Sequence, residues 1–302
     1  MRSDEARYPA TTAQIAALIR LGRPFILPGG ILAYALGAAM GYAQEGVFHW
    51  GRAAAGLLVT IAANLVAHYA DEYADVDTDT VTQRSWFSGG SGVLPAGTVP
   101  PVWALRMAWV MLVFAAFLML WFVGNGTLTP HVIWIVALGV LGGWFYSMPP
   151  LALERRGLGE LVNAAIGAFL MPLMGYTVQT GAPSWRAVTA LIPMFFIVTA
   201  ALLAVPWADR KADAAVGKRS LVVVAGGYTP LLYYGSILLT FLFTLLLTGT
   251  LLPAPVSAAV LLTLPITLWA ALRFMRQDSP VPSSLAMAVT IAAAAAGWVI
   301  AG

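Results

Sequence analysis

Apolar segments of about 20 residues recur along the whole chain, each long enough to cross the hydrocarbon core of a bilayer as a helix. They lack the short in–out alternation of an outer-membrane barrel strand. Composition points the same way: 60% of the 302 residues are hydrophobic, 10% are charged, and the mean hydropathy is +0.82. Soluble domains carry about 25% charged residues, so this chain has too little charge to cover a water-facing surface. The expected fold is all-α and integral to the membrane: a single domain over 1–302, with no soluble domain attached.

The segments place about nine membrane helices, at 25–43, 53–70, 101–123, 131–148, 158–180, 187–206, 228–249, 255–273 and 283–301. Pro172, Pro193 and Pro265 fall inside these spans. Ahead of them, 1–23 forms an amphipathic N-terminal segment in which Thr11 to Arg23 is a surface helix with Ile15, Leu18 and Ile19 on one side. No apolar stretch precedes a small-residue cleavage site there, so a secretory signal is not expected.

The charges sort by loop. With the N-terminus inside, fourteen of the 16 Lys and Arg residues fall on the inner side, and only Arg52 and Arg186 fall outside. This asymmetry predicts a cytoplasmic N-terminus, cytoplasmic polar loops and a C-terminus outside. It also accounts for the net charge of +3 without nucleic acid, since no Lys/Arg run is long enough to form such a patch. With no cysteine, disulfides and thiolate metal sites are excluded.

Chemistry is therefore expected in the inner loops. Five of the 13 acidic residues lie between positions 71 and 79: Asp71, Glu72, Asp75, Asp77 and Asp79. Asp71, Asp75 and Asp79 are spaced by four, which puts them on one face of a continuing helix, where like charges repel. Hard oxygen ligands in such a cluster suit magnesium or calcium, and magnesium commonly bridges carboxylates to phosphate oxygens. Taken alone, an acidic run is also what a solvated loop looks like. The pattern recurs four spans later, however, where Asp209 and Asp213 follow Pro206, and Gly217, Lys218 and Arg219 follow them. Two carboxylate clusters at one membrane face, each with cations nearby, read as a site for a metal-bound diphosphate.

Three other features border this site. The stretch from Arg84 through Ser88, Gly89, Gly90, Ser91 and Gly92 is either a plain turn or a loop whose N–H groups approach phosphate. Tyr146 is either an interface anchor or an aromatic face for a cation. Arg155 and Arg156 are either cytoplasmic-loop charges or a fork for a carboxylate. His68 and Asn64, inside the second span, read as helix–helix hydrogen-bonding residues.

The pattern resembles the UbiA superfamily of intramembrane prenyltransferases. Its first motif, Asn-x-x-x-Asp-x-x-x-Asp, stands here as Asp71-Glu72-Tyr73-Ala74-Asp75-Val76-Asp77-Thr78-Asp79, with Asp71 in place of the asparagine and Glu72 in place of a following aspartate. The second, Asp-x-x-x-Asp followed by Gly-Lys-Arg, stands as Asp209-Arg210-Lys211-Ala212-Asp213 and Gly217-Lys218-Arg219. The stretch from Tyr146 to Glu160 is similar to the loop after the fourth helix. Ser88 to Leu94 looks most like the 1,4-dihydroxy-2-naphthoate prenyltransferase branch. The resemblance implies a Mg2+-dependent prenyltransferase acting on an isoprenyl diphosphate and a small aromatic quinone precursor. It assigns metal binding to Asp71, Asp75, Asp79, Asp209 and Asp213. Substrate contacts fall to Glu72, Arg84, Arg155, Arg156, Lys218 and Arg219, with Tyr146 beside the reacting carbon. A terpene cyclase working on the same diphosphate is the alternative; a transporter or ion-binding protein is a third reading.

The charge asymmetry yields a direct test, made simple by the absence of native cysteine. Single cysteines replacing Ser88 and Ala182 should label with a membrane-impermeant maleimide from opposite sides. Labelling of both from one side overturns the topology.

Overall fold

The computed structural model describes residues 11–81 and 89–302, and among these the fold is helical throughout, apart from one isolated bridge between Thr248 and Leu252. In chain order the helices are α1 (Thr11–Leu21), α2 (Leu27–Glu45), α3 (Trp50–Ala74), the short α4 (Val76–Val81), α5 (Val102–Gly124) and α6 (His131–Ser147). There follow α7 (Gly159–Thr180), α8 (Ile192–Ala215), α9 (Leu221–Leu247), α10 (Ala254–Phe274) and α11 (Val281–Ala301).

Among the described residues seven helices are long and apolar enough to cross a membrane: α3, α5 and α7 to α11. This is fewer than the expected nine. The other two expected spans are also helical. One is α6, which at 17 residues is shorter than the ~20 a straight crossing takes. The other is α2, whose 19 residues include Pro28, two early glycines, Gln44 and Glu45.

The helices close into a ring. α2 packs along α7 and touches α11, α3 lies against α5, α6 and α7, α8 against α9 and α11, and α10 against α11. The largest core fills the space between α2, α7, α8 and α9 to α11, around Leu36, Met194, Leu203, Tyr233 and Val256. A second core joins α2, α3, α6 and α7 through Tyr34, Val59, Val132 and Met174. On α5, Trp109, Val113, Phe117 and Leu120 remain exposed at helical spacing, a face suited only to lipid.

α1 divides its apolar residues differently from the expectation. Ala17 and Leu21 are buried, and Leu18 packs with them against the core that contains Tyr69 and Ala70. Ile15 and Ile19 stay exposed, so α1 buries one flank against the bundle and leaves the other uncovered.

Of the three prolines expected inside spans, Pro193 lies in the first turn of α8, where no N–H is needed, whereas Pro172 and Pro265 sit inside α7 and α10 where the regular helix is interrupted. Pro172 follows a π-helical stretch at Ile166–Leu170 inside α7, and Pro265 restarts α10 after a break at Leu262 and Thr263. Pro206, expected to end a span, lies inside α8 instead. The helix runs on to Ala215 and so carries Asp209 and Asp213 within it, because one missing hydrogen bond does not outweigh the packing of α8 on its neighbours.

The α2–α7 crossing is set by glycine. A Cβ on Gly37 would lie 1.6 Å from the Pro172 carbonyl oxygen, and one on Gly175 would lie 2.0 Å from that of Tyr34. Both neighbours are backbone, so neither can yield without separating the helices. Gly37→Val should therefore cost about 3 kcal/mol in overpacking, read as a lowered unfolding temperature in detergent. Gly139→Ala, where nothing lies within 4 Å, should change little. Equal unfolding temperatures for the two variants would show that the crossing does not depend on Gly37.

Candidate active site

Like charges along one turn of helix are tolerated only where cations meet them, and the end of α3 shows how that is done. Asp71 lies in the last turn of α3 and Asp75 is its C-cap, with φ −98° and ψ 10°. The helix breaks there and resumes as α4, so Asp71, Asp75 and Asp79 do not share one uninterrupted helix. The i to i−4 bonds survive the break: Asp75 N–H donates to Asp71 O at 2.9 Å and Asp79 N–H to Asp75 O at 2.8 Å.

The cations are shared between neighbouring carboxylates. Arg23, in the link between α1 and α2, donates from Nη1 to Asp71 Oδ2 at 2.8 Å and from Nε to Glu72 Oε1 at 2.5 Å. Glu72 also accepts from Ser91, through N–H at Oε1 and through the hydroxyl at Oε2, both at 2.6 Å. Glu72, expected at the substrate, is thus wholly buried and engaged by protein donors on both oxygens. It clasps the Ser91 loop and Arg23 onto α3. Gly90 is required beside it. Its φ is +62°, and a Cβ there would fall 2.0 Å from Asp79 Oδ2. Burial, reinforced by Asp75, Glu72 and Asp71 and opposed by Arg23, pushes the Asp79 carboxyl up to about 8.

Lys218 occupies the centre. α8 ends with Gly217 in the left-handed region at φ +74°, which turns the chain back. Lys218 Nζ then reaches Asp75 Oδ2 at 2.6 Å and Glu154 Oε2 at 2.7 Å. Burial disfavours the ammonium, but Asp75 and Glu154 hold it well above the ordinary lysine range. The second aspartate segment arrives on α8: Asp213 is buried within electrostatic range of Lys218, Asp209 and Asp75.

Arg155 sits on the other side of Asp75. Its Nη2 donates to Ala74 O at 3.1 Å and lies 3.6 Å from Asp75 Oδ1. The two cation groups expected at separate anion sites therefore converge, since Lys218 and Arg155 meet the same aspartate. Arg156 is exposed and donates to Pro150 O at 2.9 Å, and Arg219 is also exposed. Tyr146, at the end of α6, lies against Gly159 and within electrostatic reach of Glu154, Asp71 and Lys218, at the site rather than on the lipid face. Arg84 and Ser88 lie outside the described residues.

Sequence reasoning missed Glu154 and Arg23 as participants, and it named Ser91 only as part of a stretch that is a plain turn or a phosphate-approaching loop. Glu154 stands between Leu153 and two arginines in a loop, Arg23 follows a surface helix, and Ser91 is one small residue in a glycine-rich stretch. None carries a local signal of its partner, because each acts through a contact 19 to 64 positions away in sequence. His68, expected to bond between helices, instead has Nδ1 2.8 Å from Gly22 O in the turn after α1.

The donor set suits a hard cation. Asp71, Asp75 and Glu154 each offer an oxygen within 4.8 Å of the others. Asp71 Oδ1, Asp75 Oδ1 and Glu154 Oε1 are buried with no hydrogen-bond donor. Oxygen-only, multiply charged and sheltered from water, this is the environment magnesium takes at phosphate-handling sites.

A ring of membrane helices with carboxylates and cations gathered at one end defines an integral membrane protein built to hold a charged group beside an apolar interior. The profile of the UbiA prenyltransferase family matches residues 31–299, and the chain belongs to that family. Solved structures agree on the fold. A digeranylgeranylglyceryl phosphate synthase is 12% identical with a TM-score of 0.67, covering 95% of this chain and 99% of its own. A UbiA homologue from Archaeoglobus fulgidus, bound to DMAPP and Mg2+, is 16% identical with a TM-score of 0.64, covering 93% and 98%. A UbiA homologue from Aeropyrum pernix K1 is 15% identical with a TM-score of 0.67, covering 90% and 97%. No curated protein matches the sequence.

The Glu72 clasp gives a stability test. Glu72→Ala strands Arg23 and the Ser91 donors and should cost about 3–5 kcal/mol. The pair Arg23→Met with Glu72→Met should cost much less than the sum of the single changes. Additive losses in unfolding free energy would show that the two side chains do not act together.

Proposed function

We propose that this chain transfers an isoprenyl group from an allylic diphosphate to a small aromatic quinone precursor, at the cytoplasmic face of the membrane and with magnesium held by its two aspartate segments. One observation carries the reading: α3 and α8, far apart in sequence, deliver Asp71, Asp75 and Asp213 to one end of the bundle, with Lys218 among them. The solved Archaeoglobus fulgidus homologue bound to DMAPP and Mg2+, and the same homologue bound to GPP and Mg2+, support this choice of donor and metal. The fourteen-to-two distribution of cations supports the cytoplasmic placement.

Bound magnesium would act as a Lewis acid on the leaving diphosphate. Asp71, Asp75, Asp79, Asp209 and Asp213 are the residues that would hold it. Lys218, Arg155, Arg219 and Arg84 supply positive charge for the diphosphate oxygens as the carbon–oxygen bond breaks. The Tyr146 ring faces the cationic allyl fragment, and the surrounding helices keep water from it. An aromatic carbon of the acceptor then bonds to the allylic carbon and loses its proton, and diphosphate departs. Arg156, exposed at the rim, suits an acceptor carboxylate. The Ser88 to Leu94 resemblance favours a dihydroxynaphthoate.

The test supplies the reconstituted protein with a prenyl diphosphate and Mg2+, first alone and then with 1,4-dihydroxy-2-naphthoate. Prenylated product should form only with the aromatic acid, and chelation should stop it. Asp75→Asn and Asp213→Asn should each lower the rate by roughly 100-fold or more, as expected for lost metal ligands, in protein that still unfolds cooperatively. A cyclic hydrocarbon or alcohol made without acceptor would overturn the transferase reading in favour of a cyclase.

A further inference from the structure

We propose that Glu154 is a metal ligand in this protein, completing with Asp71 and Asp75 a three-carboxylate site for a hard divalent cation, and that loading this site ties the loop bearing Arg155 to the end of α3. The inference rests on the metal-dependent reading above and adds a residue from outside both aspartate segments.

The loop is built to point Glu154 inward. Ala152 takes φ +41°, Leu153–Arg156 form a single 3-10 turn, and Gly157 closes it at φ +73°. A Cβ on Gly159 would lie 2.6 Å from Glu154 Cα, so the start of α7 presses directly on the Glu154 backbone. The result is a glutamate side chain 2% exposed beside the exposed Arg156. Burying a carboxylate costs several kcal/mol unless it is compensated, and the protein compensates only half of this one. Oε2 pairs with Lys218, whereas Oε1 is buried with no donor, and the carboxylate offers an oxygen within 4.8 Å of those of Asp71 and Asp75.

Charge counting agrees. Among the described residues Asp71, Glu72, Asp75, Asp79, Glu154 and Asp213 crowd this end of the bundle, against Arg23, Lys218 and Arg155. A divalent cation offsets that excess, whereas a further monovalent side chain would offset only part of it. Because Arg155 is covalently next to Glu154 and already donates to Ala74 O, a metal shared by Asp71, Asp75 and Glu154 would hold Arg155 in place for an anionic substrate.

The competing role for Glu154 is counter-ion to Lys218 alone, and a double-mutant cycle separates the two. Mn2+ is titrated into the full-length chain in nanodiscs and free Mn2+ is read by EPR, with and without inorganic pyrophosphate. Glu154→Gln should weaken Mn2+ binding at least about tenfold, since even residues behind a metal ligand are worth that much. The same loss should persist when Lys218 is already Met. If the loss disappears in the Lys218→Met background, or if Glu154→Gln binds Mn2+ as tightly as the parent while Asp75→Asn does not, Glu154 is not a ligand and the aspartate-held metal stands. If neither Asp75→Asn nor Glu154→Gln changes binding, the metal-dependent reading fails with it. A retained cooperative unfolding transition identifies variants that fold.

Discussion

Carboxylates buried together repel one another, and one end of this bundle is organised around what offsets that repulsion. Arg23 spans Asp71 and Glu72, Lys218 spans Asp75 and Glu154, and Arg155 approaches Asp75 from the side. Each cation comes from a different link between helices. Removing any one leaves a charge in a medium that solvates it poorly, which is why such contacts specify geometry more than they add stability. The same arrangement leaves three oxygens without donors, so the protein is short of positive charge at the position where a metal and a diphosphate would supply it and accept it.

The apolar part of the fold serves this end. In a bilayer, helices gain little from hydrophobic contact with one another, because lipid is as apolar as leucine. Close packing then depends on small residues that let backbones approach. Gly37 and Gly175 do this where α2 crosses α7, and Gly143 does it where α6 meets Ala67 of α3. These approaches fix α2 against α7 and α6 against α3. That in turn fixes Tyr146 and the Glu154 loop against the end of α3. Hydroxyls on α9 to α11, such as Thr240, Thr244 and Thr290, bond back to carbonyls four residues earlier. They are thereby satisfied within their own helices, and Thr290 also meets the Thr263 hydroxyl of α10 at 3.1 Å.

The membrane character of the chain and both aspartate segments were legible in the sequence, because both are local. A run of apolar residues spans a bilayer whatever it packs against, and a four-residue spacing places carboxylates on one side of a helix without reference to the rest of the molecule. Where local reasoning failed, a distant partner had the deciding influence. Pro206 looks like a terminator, yet packing carries α8 beyond it. Glu72 looks like a site acid, yet Arg23 and Ser91 claim its oxygens. Lys218 and Arg155 look like members of two anion sites, yet they meet on Asp75.

The sequence by itself determined the solvent of this protein, its all-helical class, the asymmetry of its loops and the residue types available for chemistry. These follow from hydropathy, backbone satisfaction and charge counted along the chain. Only the tertiary structure decided which of those residues meet. It selected Asp71, Asp75 and Glu154 as neighbours, turned Glu72 into a clasp and put Lys218 at the centre. The reason is physical: Coulomb forces and desolvation depend on distance and burial, and both are set by helix crossings that no local pattern of residues records.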